Sequence, residues 1–267
     1  MKEINTEELK QIQLEILEYV HHFCLERDIR YSLSSGTLIG AIRHKGYIPW
    51  DDDIDLYMLR PDYNRLIREF NENCSHQYRI IAPEVDNDDI FPYAKIVDTR
   101  TFVEENVDHY INYMGVWIDI FPVDSVPNDW EQRKELFKKN RILDSFLILK
   151  NVSLNRNRSA FKNLMLLGGK FALTFISMRK LIQWKLALVS EWDSTANDVC
   201  NVMAGGGIRC CIPRETMEHY IEIEFEGRTF CCMRDYDTYL HICYGDYMQL
   251  PPIEKRITHH SFKAYWK

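Results

Sequence analysis

The chain has 267 residues, 46% of them apolar, and its 33 Lys and Arg against 40 Asp and Glu give a net charge of −7. That apolar content suffices for one sizeable core, or a core with a smaller appended unit. The negative balance excludes nucleic acid as a bulk partner, because neutralising phosphates takes a basic face.

The N-terminus, Met1 to Glu8, is charged and has no apolar run of the kind a secretory signal carries, so the expectation is a cytoplasmic protein. Thr6 is the expected N-cap of a helix to about Glu26, with Leu9, Ile12, Ile16, Val20 and Phe23 at helical spacing. Ile29, Tyr31 and Leu33 alternate as a short strand, Ser34 to Thr37 forms a small-residue turn, and a helix from Leu38 to His44 stops near Gly46. Strand, glycine turn and helix N-terminus in that order expose backbone N–H groups and a positive dipole end, which together make an anion site. Arg43 and Lys45 add fixed charge close by.

Next comes Asp51-Asp52-Asp53-Ile54-Asp55-Leu56-Tyr57-Met58, in which Ile54, Leu56 and Met58 alternate as on a strand. Strand parity puts Asp53 and Asp55 on one face and Ile54 in the core. Two adjacent carboxylates repel unless a cation lies between them, and Mg²⁺ takes one or two carboxylates together with substrate phosphate oxygens. An anion-binding turn beside a metal-binding strand fits a nucleotide diphosphate. The same acids match the first three ligands of an EF-hand, but Leu56 stands where that loop needs glycine and Asp62 where it needs glutamate.

Arg60-Pro61-Asp62 opens a helix to about Asn71 with Tyr63, Leu66, Ile67 and Phe70 inward, and short strands follow at Tyr78–Ala82, Tyr93–Val97 and Thr101–Glu105. Lys95 in the second of these either reaches a donor phosphate or is a solvated charge on an edge strand. Asp119, between Ile118 and Ile120 on the strand Val116–Pro122, is costly to bury unless it is paired or coordinates something, so it supplies a third carboxylate. Asp124 reads as the cap of the turn beyond.

Residues 129–190 hold 13 Lys and Arg against 4 Asp and Glu, leaving the remainder of the chain near −16. A helix from Asn128 to about Lys150, a polar tract from Asn151 to Ser159, an apolar run from Leu164 to Met178 and a helix to Val189 fill this segment. The apolar run is too short and interrupted to span a membrane. Two readings stand: contact with an anionic membrane surface, or a helical subdomain over the core. Gly205 to Gly207 lead into an expected strand Ile208–Ile212, and Glu222, Glu224 and Glu226 line one solvated strand face. Eight cysteines without a C-x-x-C read as reduced thiols, with zinc on Cys200, Cys210, Cys211 and His219 as the alternative. A short helix Asp235–His241 and a rigid loop from Tyr244 through Pro251-Pro252 lead to His259 and His260.

The stretch Ser34 to Asp55 resembles the LicD family, which includes the fukutin-related proteins and belongs to the nucleotidyltransferase-fold superfamily. The superfamily carries a Gly-Ser-type turn, Asp-x-Asp on the next strand and a third carboxylate on a later one. Gly36-Thr37, Asp53-x-Asp55 and Asp119 stand in those places, and the likeness resumes from Tyr244 to His259. It covers about residues 29–125 and 219–260. It implies an α+β fold: a nucleotidyltransferase-like mixed sheet flanked by helices over 1–126, a basic helical insertion over 127–205, and strands and a loop completing the core over 206–267. It also implies phosphotransfer that depends on Mg²⁺ or Mn²⁺. A phosphocholine or polyol phosphate passes from a CDP-activated alcohol to a hydroxyl of a cell-surface glycan or its lipid-linked precursor, and CMP leaves. Asp53, Asp55 and Asp119 would be catalytic metal ligands, and Gly36, Thr37, Arg43, Lys95 and His259 would bind substrate. Ser35-Gly36-Thr37 departs from the usual turn but keeps its hydroxyl. The rivals are a nucleotidyltransferase acting on a small molecule or sugar, and a non-catalytic relative that binds glycan or lipid.

Overall fold

A computed structural model describes the chain except for residues 87–90, 106–113, 153–158, 191, 193–195 and 259–261. In chain order the regular elements are β1 (Lys2–Glu3), α1 (Thr6–Glu26), β2 (Ser32–Leu33), α2 (Ser35–His44), β3 (Asp55–Leu59), α3 (Arg60–Asn73), β4 (Tyr78–Ile81), β5 (Ala94–Asp98), β6 (Thr101–Glu105), β7 (Trp117–Val126), α4 (Trp130–Asn151), α5 (Ala160–Ala172), α6 (Met178–Ser190), β8 (Asp198–Cys200), β9 (Ile212–Pro213), β10 (Tyr220–Phe225), β11 (Arg228–Met233), α7 (Tyr236–Tyr244) and β12 (Phe262–Trp266). The class is mixed α and β, as expected.

The central strand is β7, buried over nearly its whole length, as expected of a strand with neighbours on both edges. Its first half lies parallel to β3 and antiparallel to β5, and its last three residues pair with β8. The resulting sheet runs β2-β3-β7-β5-β4, with β8 and β9 branching from the end of β7. A separate three-stranded sheet, β1-β12-β6, joins the two ends of the chain, and β10 with β11 forms a hairpin. Among the described residues after 205, β9 is the strand that reaches the main sheet, through β8.

Helix α1 buries Leu9, Ile12, Ile16, Val20 and Phe23, and Tyr63, Leu66, Ile67 and Phe70 of α3 are buried as their spacing predicts. The two helices meet where the Phe23 and Phe70 rings lie 4.9 Å apart. The cap of α1 is Asn5, one residue ahead of the expected Thr6. The Glu8 N–H donates to Asn5 Oδ1 at 2.9 Å and the Asn5 N–H donates to Glu8 Oε2 at 3.3 Å, a reciprocal capping box.

Three expectations are corrected. Strand β3 begins at Asp55, not Asp53: the Ser34 N–H donates to Asp55 O, and β2 then turns into α2, so earlier residues have no partner on that edge. Asp124 is no turn cap. It lies in β7 and accepts a fork from Arg60, Nε to Oδ1 at 2.6 Å and Nη2 to Oδ2 at 2.8 Å, which fastens the start of α3 to the sheet. Ile208 to Cys210 form a 3₁₀ turn in place of a strand.

Helices α4 to α6 rest on small apolar clusters of their own, one around Leu136, Val189 and Val202 and one around Leu147, Leu181 and Ile182. Between α4 and α6 the ammonium of Lys185 is fully buried, ion-paired with Asp144 and donating to Met203 O at 2.9 Å. Among the described residues, no helix is long and apolar enough to cross a membrane. Removing one partner of a buried pair strands the other charge, at about 3–5 kcal/mol. Asp144→Ala should therefore lose about that much in equilibrium urea unfolding, and adding Lys185→Met should recover most of it.

Candidate active site

Register brings the acids together. Asp55 of β3 stands opposite Asp119 of β7 in the parallel ladder, and Asp119 stands opposite Lys95 of β5 on its other side. Three adjacent strands thus present two carboxylates and an ammonium in one row on one face. The Asp119 N–H donates to Ile54 O at 2.9 Å, tying β7 to the residue between Asp53 and Asp55, and Ile54 itself is fully buried. Parity therefore keeps Asp53 and Asp55 on the side away from the Ile54 core, although Asp53 precedes the strand.

Lys95 is not an exposed edge charge. It is 3% exposed, its Nζ lies 2.5 Å from Asp119 Oδ1, and it sits 4.5 Å from the ring centroids of both Phe91 and Trp117. Trp117 Nε1 donates to Asp119 Oδ2 at 3.3 Å, so both oxygens of Asp119 are engaged. Asp55 keeps part of its surface accessible, yet its carboxyl is held well above the usual carboxylate range. Burial is the main cause, followed by the negative charges of Asp53, Asp119 and Asp51, with Lys95 pulling weakly the other way.

The first turn of α2 faces this row: the helix begins at Ser35, so Gly36 and Thr37, expected in a turn before a helix from Leu38, lie within it. The Asp55 N–H donates to Thr37 Oγ1 at 2.9 Å, so the buried Thr37 hydroxyl braces the strand as well as the helix start. A Cβ on Gly36 would lie 2.4 Å from Asp51 Oδ2; the first turn of α2 is thus covered by a carboxylate at the end where a helix favours anions. Ser35 has a φ of 49°, and its N–H donates to Tyr239 Oη on α7 at 3.1 Å. The Ser34 hydroxyl is buried without a hydrogen-bond partner.

Not every expected residue joins. Arg43 stands at the opposite end of α2 from Gly36, where Nη1 donates to Tyr247 O at 2.8 Å and Nε to His44 Nε2 at 2.9 Å. There it ties the end of α2 to the C-terminal loop. Arg100 is chelated by Asp98. His259 and His260 lie outside the described residues.

The structure adds residues that the sequence pattern did not mark. Gln13 on α1 donates from Nε2 to Asp52 O at 2.9 Å and to Trp117 O at 3.3 Å, clamping the acidic segment to β7. Gln13 fell on an apolar helical face and carried no signal beyond being polar there. Tyr244 of α7 bonds through its hydroxyl to Ser35, close enough to feel the charge of Asp55. Its place in the Tyr244–Tyr247 run was the available cue.

Beside Asp119, the ring of Phe121 meets Tyr93 at 4.6 Å. Tyr93 opens a cleft of about 430 Å³ running past Leu147 and Met178 to Gly205. A second cleft of about 560 Å³, sharing Asp144 and Gly205 with the first, is lined by Lys134, Lys138, Arg141 and Arg209.

The cysteines associate in pairs, Cys200 with Cys211 and Cys210 with Cys243. Cys24, Cys200 and Cys232 are buried. Among the described residues no three His, Cys, Asp or Glu groups stand close enough together to hold one metal ion as they are. The zinc alternative with His219 is therefore not formed. A hydrogen bond from Cys243 lowers the half-buried Cys210 thiol to about 6, against burial that raises it. Depressed below neutrality, this thiol is mostly thiolate at pH 7 and is protonated as pH falls through 6. Cys210 should be the first cysteine alkylated by iodoacetamide at pH 7, with a rate half-maximal near pH 6; peptide mass mapping against pH reads it, and an inflection near pH 9 would contradict the pairing.

Residues 28–147 match the family model described as LicD/FKTN/FKRP, nucleotidyltransferase domain. The chain is 35% identical over 268 aligned residues to the lipopolysaccharide cholinephosphotransferase LicD of Haemophilus influenzae, covering 99% of each chain. It is also 32% identical over 130 residues to an uncharacterised protein of Rickettsia typhi, covering 46% of this chain and 41% of that one. With an in-register acid pair between β3 and β7 and a relative alike from end to end, the chain belongs to the LicD family.

Proposed function

We propose that the chain is a metal-dependent phosphotransferase on a nucleotidyltransferase-like sheet. It would move phosphocholine, or a related alcohol phosphate, from a CDP-linked donor to a hydroxyl of lipopolysaccharide or its lipid-linked precursor, releasing CMP. The observation that carries this reading is the row of Asp55, Asp119 and Lys95 across β3, β7 and β5. The likeness to a lipopolysaccharide cholinephosphotransferase supports the choice of donor and acceptor.

The donor set fits a hard divalent cation. Asp55 and Asp119 stand in register beside the buried Lys95, and the carboxyl of Asp55 is raised first by burial and then by the charges of Asp53, Asp119 and Asp51. All the ligands are oxygens, and two carboxylates with phosphate oxygens satisfy Mg²⁺ without a third protein ligand in place. Asp53 and Asp55 would hold Mg²⁺ or Mn²⁺, with Asp119 beside them as the third acid. When bound, the ion supplies neutralisation of the pyrophosphate oxygens and of the charge developing on the leaving group.

The remaining steps belong to the chain's own groups. Lys95 spends one N–H on Asp119 and, as an ammonium, has further N–H donors for the donor phosphate. Backbone N–H groups at the head of α2, around Gly36, receive a phosphate oxygen where Asp51 now lies. Asp119 takes up the acceptor hydroxyl proton, a role requiring hydrogen-bond reach. The cleft that opens at Tyr93 is the route for the acceptor.

Incubation with CDP-choline, Mg²⁺ and lipopolysaccharide precursor, followed by mass spectrometry, should show CMP. Asp53→Asn and Asp55→Asn should each cut its release by about 100-fold or more, the scale of lost electrostatic stabilisation, at little change in Tm. Pyrophosphate as product would mark nucleotidyl transfer instead, and full turnover in both variants would refute the site. Gly36→Ala, whose methyl displaces the Asp51 carboxylate, should lower turnover by up to about 100-fold through misplacement alone, with circular dichroism unchanged.

A further inference from the structure

Helix α5 is turned inside out. On an amphipathic surface helix the apolar stripe faces the core and polar residues face water. In α5 and the turn after it, the residues at helical spacing on the outer side are Phe161 (70% exposed), Leu164 (66%), Met165 (65%), Phe171 (79%) and Phe175 (94%). Gly168, in the same stripe, has nothing within 4 Å of where a Cβ would stand. The inner side is thin: Leu166 and Leu173 are buried, and Gly169 abuts Leu149 of α4. An exposed apolar stripe of this length marks an interaction surface.

Charge identifies the partner. Residues 145–190 contain eight Lys and Arg and no Asp or Glu, in a chain whose net charge is −7. Lys162 lies exposed on α5, and Arg179 and Lys180 are exposed at the start of α6, with Lys180 Nζ 5.4 Å from the ring centroid of Trp184. Apolar and aromatic side chains on one face, rimmed by cations, are the composition of a helix lying in the plane of an anionic membrane. At 13 residues α5 is about 20 Å long, too short to cross a bilayer but suited to lie on it. A second copy fits less well, since two such faces would oppose like charges.

We propose that α5 and the following turn dock this protein on an anionic lipid surface, with Phe161, Phe171 and Phe175 inserted among the acyl chains and Lys162 and Lys180 at the head groups. This stands independently of the phosphotransfer reading, because it is read by lipid binding and not by turnover. The test is co-sedimentation of the full chain with vesicles of phosphatidylglycerol and phosphatidylcholine, against vesicles of phosphatidylcholine alone. The expected result is binding to the anionic vesicles only, weakened by salt. The bound-to-free ratio should fall at least tenfold in Phe161→Ser/Phe171→Ser/Phe175→Ser, and similarly in Lys162→Glu/Lys180→Glu, with Tm and circular dichroism unchanged. Absence of wild-type binding, or equal binding by both variants, would overturn it. So would light scattering that shows a dimer dissolved by the serine variant, because the stripe would then face a second copy.

Discussion

Two carboxylates in register on adjacent parallel strands set the terms for everything around them. Neighbouring strands are about 4.8 Å apart, so at an effective dielectric near 20 two ionised acids at that spacing repel by roughly 3 kcal/mol. Lys95 offsets part of this at Asp119, but it lies one strand further from Asp55, and Asp53 and Asp51 add to the excess. The fold therefore gathers several carboxylates where β3 and β7 begin, in the middle of a hydrophobic sheet. Such an arrangement costs stability in isolation, and a bound cation with its phosphate would convert it into a specific site.

Holding the acids there takes support from several directions. Gln13 bridges the backbones of Asp52 and Trp117, Thr37 receives the N–H of Asp55, and Tyr239 receives that of Ser35. Each is a neutral donor or acceptor that fixes backbone without changing the charge. The site is thus assembled from α1, α2, β3, β7 and α7, elements far apart in sequence and drawn together by one apolar core. Arg60 contributes from further off, since its fork to Asp124 fastens α3 to the strand that carries Asp119.

Much of this was legible because it is written in local periodicity. The alternation around Asp55 and Asp119 revealed two strands, and the buried spacing of α1 and α3 revealed two helices. The in-register meeting of Asp55 with Asp119 needed the parallel pairing of segments some sixty residues apart, which only the family resemblance hinted at. Lys95 resisted a sequence reading because its burial depends on Phe91 and Trp117 gathering around it. Arg43 bonds to Tyr247 O because the helix carries it to the end opposite Gly36, a separation its closeness in sequence does not convey. Gln13 and Tyr244 act through contacts that no pattern of their own neighbours encodes.

The same separation explains the chain's divided charge. Acids concentrate where a cation and a diphosphate would be gripped, whereas the helical layer built on α4 to α6 is basic and turns apolar side chains outward. Lys185 shows that this layer does bury a cation when it has a partner to give it, in Asp144 and Met203 O. Phe161 and Phe171 of α5 instead stand largely exposed, and one of the clefts along α4 ends at Tyr93, whose ring meets Phe121, two residues beyond Asp119 on β7. On the proposed reading, a lipid-linked acceptor would meet the helical layer first and the carboxylates of the sheet second. The two charge regimes of the chain would then serve two parts of one acceptor, its lipid and its hydroxyl.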